Sequence, residues 1–179
     1  VVNSALTTSP SLPEQQQLWS WLHEVPDPEI PVISVVDLGI VRDVQATAVD
    51  GEVVCTVVIT PTYSGCPAMA VIARDIADAF KRHGVARVEI QTRLSPAWTT
   101  DWMSDLGKRQ LKSYGIAPPA QQVIDISGIS RKRLLAPKVA CPHCNSMNTI
   151  CISQFGSTSC KSLYRCKDCL EPFDYFKAH

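Results

Sequence analysis

Cys141-Pro142-His143-Cys144 and Cys166-Lys167-Asp168-Cys169 are two Cys-x-x-Cys pairs, separated by the 21 residues 145–165. No other feature constrains the fold of this chain as strongly. The tight turn inside each pair lets both sulfurs face one centre, and two such turns at this interval suit a structural zinc site with four thiolates. Zinc is the default metal, although sulfur ligation alone leaves a rubredoxin-like iron site open. Between and after the turns, Thr149–Phe155, Ser162–Arg165 and Phe173–Phe176 can pair as three strands. A module of about 40 residues cannot hold together by burial alone, so its folding should be coupled to the metal. His143 lies inside a turn and reads as a spacer or an outer neighbour of the metal. Cys151 and Cys160 are left over. Cys160 follows a run of small residues (Gly156-Ser157-Thr158-Ser159), where an exposed thiol and a packed loop residue fit equally well.

The remaining length suits one ordinary domain in front of this module, and 45% hydrophobic residues suffice for a real core. No stretch approaches the ~20 apolar residues of a membrane span. Residues 1–12 read as a disordered leader with neither a basic start nor an apolar core, so no export signal is expected there. The paired cysteines then favour reduced thiols, metal and the cytoplasm over a disulfide framework. The net charge of zero hides a basic stretch. From Gly107 to Lys138, seven cations face only Asp125, a net of +6. Solvated linker charge explains it more simply than an acidic partner.

In chain order, Pro13–His23 reads as a short helix with Leu18 and Leu22 one turn apart. Three prolines break it across Val25–Pro31, where Asp27 fits a turn or cap role. Asp37-Leu38-Gly39 marks another turn. Ile40–Val49 and Glu52–Thr60 are β-rich runs joined by Asp50-Gly51, a strong two-residue hairpin signal. Both faces of the second run are apolar, which predicts a central strand with Cys55 packed as a small hydrophobe. Met69, Ile72, Ala73, Ile76 and Phe80 share one helical face, and Gly84 closes that helix. Val85–Gln91 returns as a strand, completing a βαβ crossover. Thr99, Thr100 or Asp101 can cap a further helix running to Tyr114, with Trp98 and Trp102 anchoring it to the core. The expected architecture is a small two-layer α/β (α+β) sandwich over residues 13–115, a linker over 116–137 and a zinc ribbon over 138–179.

The strand-to-helix loop Thr60-Pro61-Thr62-Tyr63-Ser64-Gly65-Cys66-Pro67 carries the strongest candidate for chemistry. Pro67 suits a first helical position, which would place Cys66 at the N-cap, where free N–H groups and the helix dipole favour thiolate. No second cysteine stands near it in the sequence. That suits transient or dimer-bridged metal binding better than a permanent four-cysteine cluster.

Asp27-Pro28-Glu29-Ile30-Pro31, Asp37-Leu38-Gly39-Ile40-Val41 and the Cys66 loop together resemble the SufT-like family of iron–sulfur cluster assembly proteins. Trp98–Met103, Tyr114–Pro119 and Phe155–Thr158 between the cysteine pairs extend the resemblance to the PaaD-like family of bacterial phenylacetyl-CoA epoxidase systems. It covers roughly residues 14–179. The resemblance implies an α/β assembly-factor domain serving aerobic phenylacetate catabolism, with the epoxidase subunits and their iron–sulfur reductase as partners. It further implies maturation or assembly of that complex and not the epoxidation itself. By position, Cys66 matches the family's loop cysteine, and Cys141, Cys144, Cys166 and Cys169 match its ribbon ligands.

Other function classes are weaker. A cysteine nucleophile needs a base within hydrogen-bond reach, and His83 stands at the far end of the Cys66 helix. A nucleic-acid-binding ribbon would want a denser basic patch than the net of +2 from Lys138 onward. A protein-docking ribbon is favoured over it, since Phe173, Tyr175 and Phe176 can supply aromatic contact area. No Gly-rich phosphate loop or carboxylate–histidine di-iron motif is present.

Overall fold

The computed structural model describes residues 11–119 and 138–177. The expected leader, apart from its last two residues, and most of the expected linker lie outside these, as do the basic residues Arg131–Arg133. Helix α1 (Gln15–His23) buries Leu18 and Leu22, the two residues one turn apart. Strands β1 (Val41–Val49) and β2 (Glu52–Ile59) form an antiparallel hairpin. Asp50 and Gly51 join them with φ of 52° and 83°, the doubly positive pair that a tight hairpin turn requires. Helix α2 (Met69–Arg82) then carries the chain to β3 (Arg87–Thr92), which runs parallel to β2. The order β1-β2-β3 makes β2 central, and Cys55 on it is fully buried. Helices α1 and α2 meet through Trp21, edge-on to Phe80 at 5.4 Å between ring centroids. This is the small α/β unit that the patterning predicts.

The next segment departs from expectation. Thr99 does act as a cap, its Oγ1 accepting the Asp101 N–H at 3.1 Å, but only for a single 3-10 turn at Thr100–Trp102. The chain becomes extended at Met103, and a separate helix α3 (Asp105–Ser113) begins under Ser104. Ser104 is the better connected cap. Its Oγ accepts the Gly107 N–H at 2.9 Å and donates to Asp37 Oδ1 at 2.5 Å, and its N–H donates to the Asp37 carbonyl at 2.9 Å. Gly107 is required for this approach, because a Cβ there would lie 2.8 Å from Ile33 Cδ1 and 2.9 Å from the Asp37 carbonyl oxygen.

Strands β4 (Ile116–Ala117), β5 (Thr149–Ser153), β6 (Lys161–Cys166) and β7 (Pro172–Phe176) form a second sheet in the order β4-β7-β6-β5. Strand β4 comes from the segment expected to start the linker. It pairs in parallel with Asp174 and Tyr175, so the chain is already in the ribbon sheet there. The ribbon also packs on the first unit. Phe176 and Cys160 join the same buried cluster as α1, β2 and α2, and the Trp98 ring lies 5.9 Å from Phe176. Phe173, Tyr175 and Phe176 are therefore buried within the chain. This corrects the expectation that they offer contact area to a separate protein. Among the described residues no helix is long and apolar enough to cross a membrane.

Asp37 ties these parts together, since its Oδ2 also accepts from Ser34 Oγ at 2.6 Å. Burial alone would raise its pKa, but the Ser104 and Ser34 hydroxyls and the facing His23 outweigh it and hold the carboxyl below its ordinary value. Hydrogen bonds to a charged acceptor are each worth about 1.5–3 kcal/mol. Asp37→Ala is therefore expected to lower stability by about 2–4 kcal/mol at neutral pH, as read by urea denaturation. A depressed carboxyl contributes stability that is complete above its unfolded value of 3.8 and fades as pH falls through the folded value. The variant should lack that acid-side component.

Candidate metal centres

The first centre is the ribbon. Cys141, Cys144, Cys166 and Cys169 offer four sulfurs that all lie within 4.8 Å of one another. The Cys141–Cys169 and Cys144–Cys166 sulfurs are 3.7 Å and 3.5 Å apart. Four thiolates around one zinc at about 2.3 Å would stand about 3.8 Å apart, so the set fits the ion. The second turn favours the thiolate of one of the four, Cys166. The Cys169 N–H donates to Cys166 Sγ at 3.5 Å and, chief among several causes, brings that thiol down to about 7. Asp168 braces the second turn against the first by accepting from Ser146 Oγ and, at 2.7 Å, from Asn148 Nδ2. With this donor set the ribbon takes structural zinc, whose role is to close the fold and not to react.

The second candidate is built around Cys66. Helix α2 starts at Met69 with Ala68 as its N-cap, so Cys66 lies two residues outside the helix. Its N–H donates to the Tyr63 carbonyl at 3.2 Å, and its carbonyl accepts the Met69 N–H at 3.4 Å. The expected N-cap activation is thereby corrected. Burial pushes the Cys66 thiol up, and the Glu29 and Asp27 carboxylates add to the rise. The Ala68 N–H and the Tyr63 hydroxyl pull the other way without prevailing. Cys66 is therefore held as a thiol.

The carboxylates come from the proline loop after α1. Asp27 Oδ1 accepts the Glu29 and Ile30 N–H groups at 2.9 Å and 2.8 Å, which is the turn role its sequence suggested. Asp27 is also only 6% exposed, and burial raises its pKa despite both amides. It lines one cavity with Glu29, Thr62, Cys66 and Ala68. Cys160 and Phe176, from the ribbon, line it as well. Reading along the chain missed this. Cys160 is not an exposed loop thiol but is 6% exposed beneath Thr158, whose Oγ1 lies 3.0 Å from its sulfur. The absence of a neighbouring cysteine in the sequence thus did not carry over to space. Only the small-residue run before Cys160 hinted at a close approach.

The histidines lie elsewhere. His83 stacks on Trp21 at 4.7 Å and pairs with Glu24 at 3.0 Å. His23 faces Ser34 and Asp37. His143 sits against Gly115, and His179 is outside the described residues.

Both halves of this geometry have counterparts in known families. Residues 15–91 match a family described as iron-sulfur cluster assembly protein, and residues 127–177 match the PaaD zinc beta ribbon domain. A protein of Escherichia coli (strain K12), provisionally named as a subunit of 1,2-phenylacetyl-CoA epoxidase, is 47% identical over 165 residues, covering 92% of this chain and 93% of that protein. The chain belongs to the PaaD family of phenylacetyl-CoA epoxidase subunits. The Fe-S protein maturation auxiliary factor SufT of Staphylococcus aureus (strain USA300) is 38% identical over 87 residues, 48% of this chain and 90% of its own. A solved structure, the domain of unknown function DUF59 from Bacillus anthracis, aligns at 28% identity with a TM-score of 0.47, over 54% of this chain and 90% of its own. In this chain the assembly-type domain and the zinc ribbon are thus parts of one polypeptide.

Because the ribbon is held by its metal, chelating the zinc or replacing Cys141 by Ser should unfold it. Amide exchange should become fast in β5 and β6, while the β1–β2 hairpin stays protected. Metal analysis on the same samples should show zinc lost in step with that protection.

Proposed function

We propose that the protein is an accessory subunit of a phenylacetyl-CoA epoxidase system, acting in aerobic phenylacetate catabolism. Its task is maturation or assembly of the complex, through iron or an iron–sulfur cluster handled at Cys66. One observation carries this reading. Cys66 lies in a cavity with Asp27 and Glu29, on the unit that matches the iron–sulfur cluster assembly family. Soft sulfur beside hard carboxylate oxygen is a donor set for iron or zinc, and the same acids that keep the thiol protonated attract a cation. When the cation arrives, the proton leaves and the sulfur becomes a ligand. A thiol armed by its cargo stays inert until loaded.

The relative's name points to other subunits of the epoxidase as clients. The family resemblance adds the iron–sulfur reductase that feeds it. The cytoplasm, where thiols stay reduced, suits such a carrier. A cysteine-nucleophile enzyme gains no support, because no histidine lines the cavity among the described residues. A nucleic-acid-binding ribbon gains none from a module of net charge +2.

The reading is tested in cells that make the whole epoxidase system. Cys66→Ala should leave zinc content and thermal unfolding unchanged and lower the iron–sulfur content of the reductase component purified anaerobically. Full cluster loading beside the variant would refute the assignment.

A further inference from the structure

The ribbon sheet is open at β5. That strand is last in the order β4-β7-β6-β5, so among the described residues one row of its main-chain N–H and C=O groups has no strand beside it. Charge or proline commonly protects such an edge, and Thr149-Ile150-Cys151-Ile152-Ser153 contains neither. A bulge between Cys151 and Ser153 bends its end and leaves Thr149 to Cys151 in regular register with β6. Exposure alternates along the strand. Cys151 packs against the ribbon's buried cluster, while Ile150 and Ile152 are 47% and 54% exposed. Met147 before the strand and Phe155 after it are exposed too, as is Leu170, whose carbonyl accepts from Arg165 Nε at 3.2 Å. These are five of the ten large apolar side chains exposed among the described residues, and such crowding on a small module marks an interaction surface.

The charges around this surface select its partner. A lysine stands at each end of β5. The Lys167 N–H donates to the Asn148 carbonyl just before the strand, and Lys177 Nζ donates to the Gln154 carbonyl just after it. Lys177 also lies 4.6 Å over the Phe155 ring, and Arg165 is the cross-strand neighbour of Ile150. Among the described residues none of these three cations has a carboxylate partner. Two of the ribbon's acids are committed elsewhere, Asp168 to Ser146 and Asn148, and Asp174 to Lys161. Only Glu171 is left, so a second copy of this chain would bring three cations and one acid to a surface that is already cationic.

We propose that β5 binds an extended segment of a partner polypeptide, apolar at alternate positions and acidic at its ends, which adds a fifth strand to the ribbon sheet. The segment's main chain pairs with the open edge, and its apolar side chains cover Ile150 and Ile152. Its acidic ends meet the lysines that flank the strand. The inference rests on the reading of the chain as an accessory subunit, and it specifies the surface by which that subunit docks.

The test uses the zinc-filled full chain, alone and in the complex it forms when produced together with the epoxidase subunits. Amide exchange needs no variant and should slow in β5 when the complex forms. Ile150→Lys and Ile152→Lys change only exposed side chains, so zinc content and thermal unfolding should match the parent. Each should weaken the complex by about tenfold or more. Raising the salt to about 0.5 M should weaken it as well, because exposed charge pairs are screened. A complex that leaves β5 exchange unchanged and tolerates both lysines would overturn the docking surface while the accessory-subunit reading stands. No complex with any epoxidase subunit would overturn both. Sedimentation of the chain alone and flotation with phosphatidylserine vesicles cover the other occupants. Self-association abolished by Ile152→Lys would assign the surface to a second copy, and vesicle binding abolished by it would assign the surface to a membrane. Either result would overturn the proposal.

Discussion

Four sulfurs around one ion are the constraint on which the rest of this molecule depends. The ribbon's strands are short, and its own buried cluster, Ala117, Val139, Tyr164, Phe173 and Tyr175 with two of the cysteines, is small. A module of this size does not fold on burial alone. With zinc in place the two turns are fixed, β5, β6 and β7 hold their register, and Phe176 and Cys160 can be presented to the neighbouring unit. The metal centre thus acts at a distance from itself. It takes no part in the Cys66 cavity, but it holds the wall of that cavity upright.

The same economy of parts appears at Cys66. A helix N-terminus could have activated the thiol directly, and the chain instead stops two residues short of it. Burial and two carboxylates then keep sulfur and proton together. For a nucleophile that would be a defect. For a carrier it is useful, because the thiolate forms only with a cation to balance it and is otherwise protected from oxidation, which follows thiolate character. Asp27 serves both ends of this arrangement. It closes its own turn through two amide hydrogen bonds and supplies negative charge to the cavity.

Much of the fold was legible because local chemistry enforced it. Asp50-Gly51 has few alternatives to a tight hairpin turn, β2 is apolar on both faces because it is central, and Gly84 ends α2 with φ of 87°. The two cysteine pairs were equally plain, since their spacing encodes their geometry. What could not be read was competition between equivalent signals. Thr99 and Ser104 are both acceptable caps, and the choice fell to Ser104 because Asp37, 67 residues away, bonds to it. Ile116 and Ala117 carry no strand signal of their own. They became one because β7 had a free edge beside them.

The sequence alone determined the zinc ribbon, the α/β unit and the loop that holds Cys66, because each is specified by residues close together in the chain. Tertiary structure alone decided what surrounds Cys66. Asp27 and Cys160 reach it from distant parts of the chain, and beyond the small residues before Cys160 nothing in their local patterns hints at the meeting. It follows from the ribbon packing through Phe176 against Trp98, a contact between side chains that only the folded chain brings together.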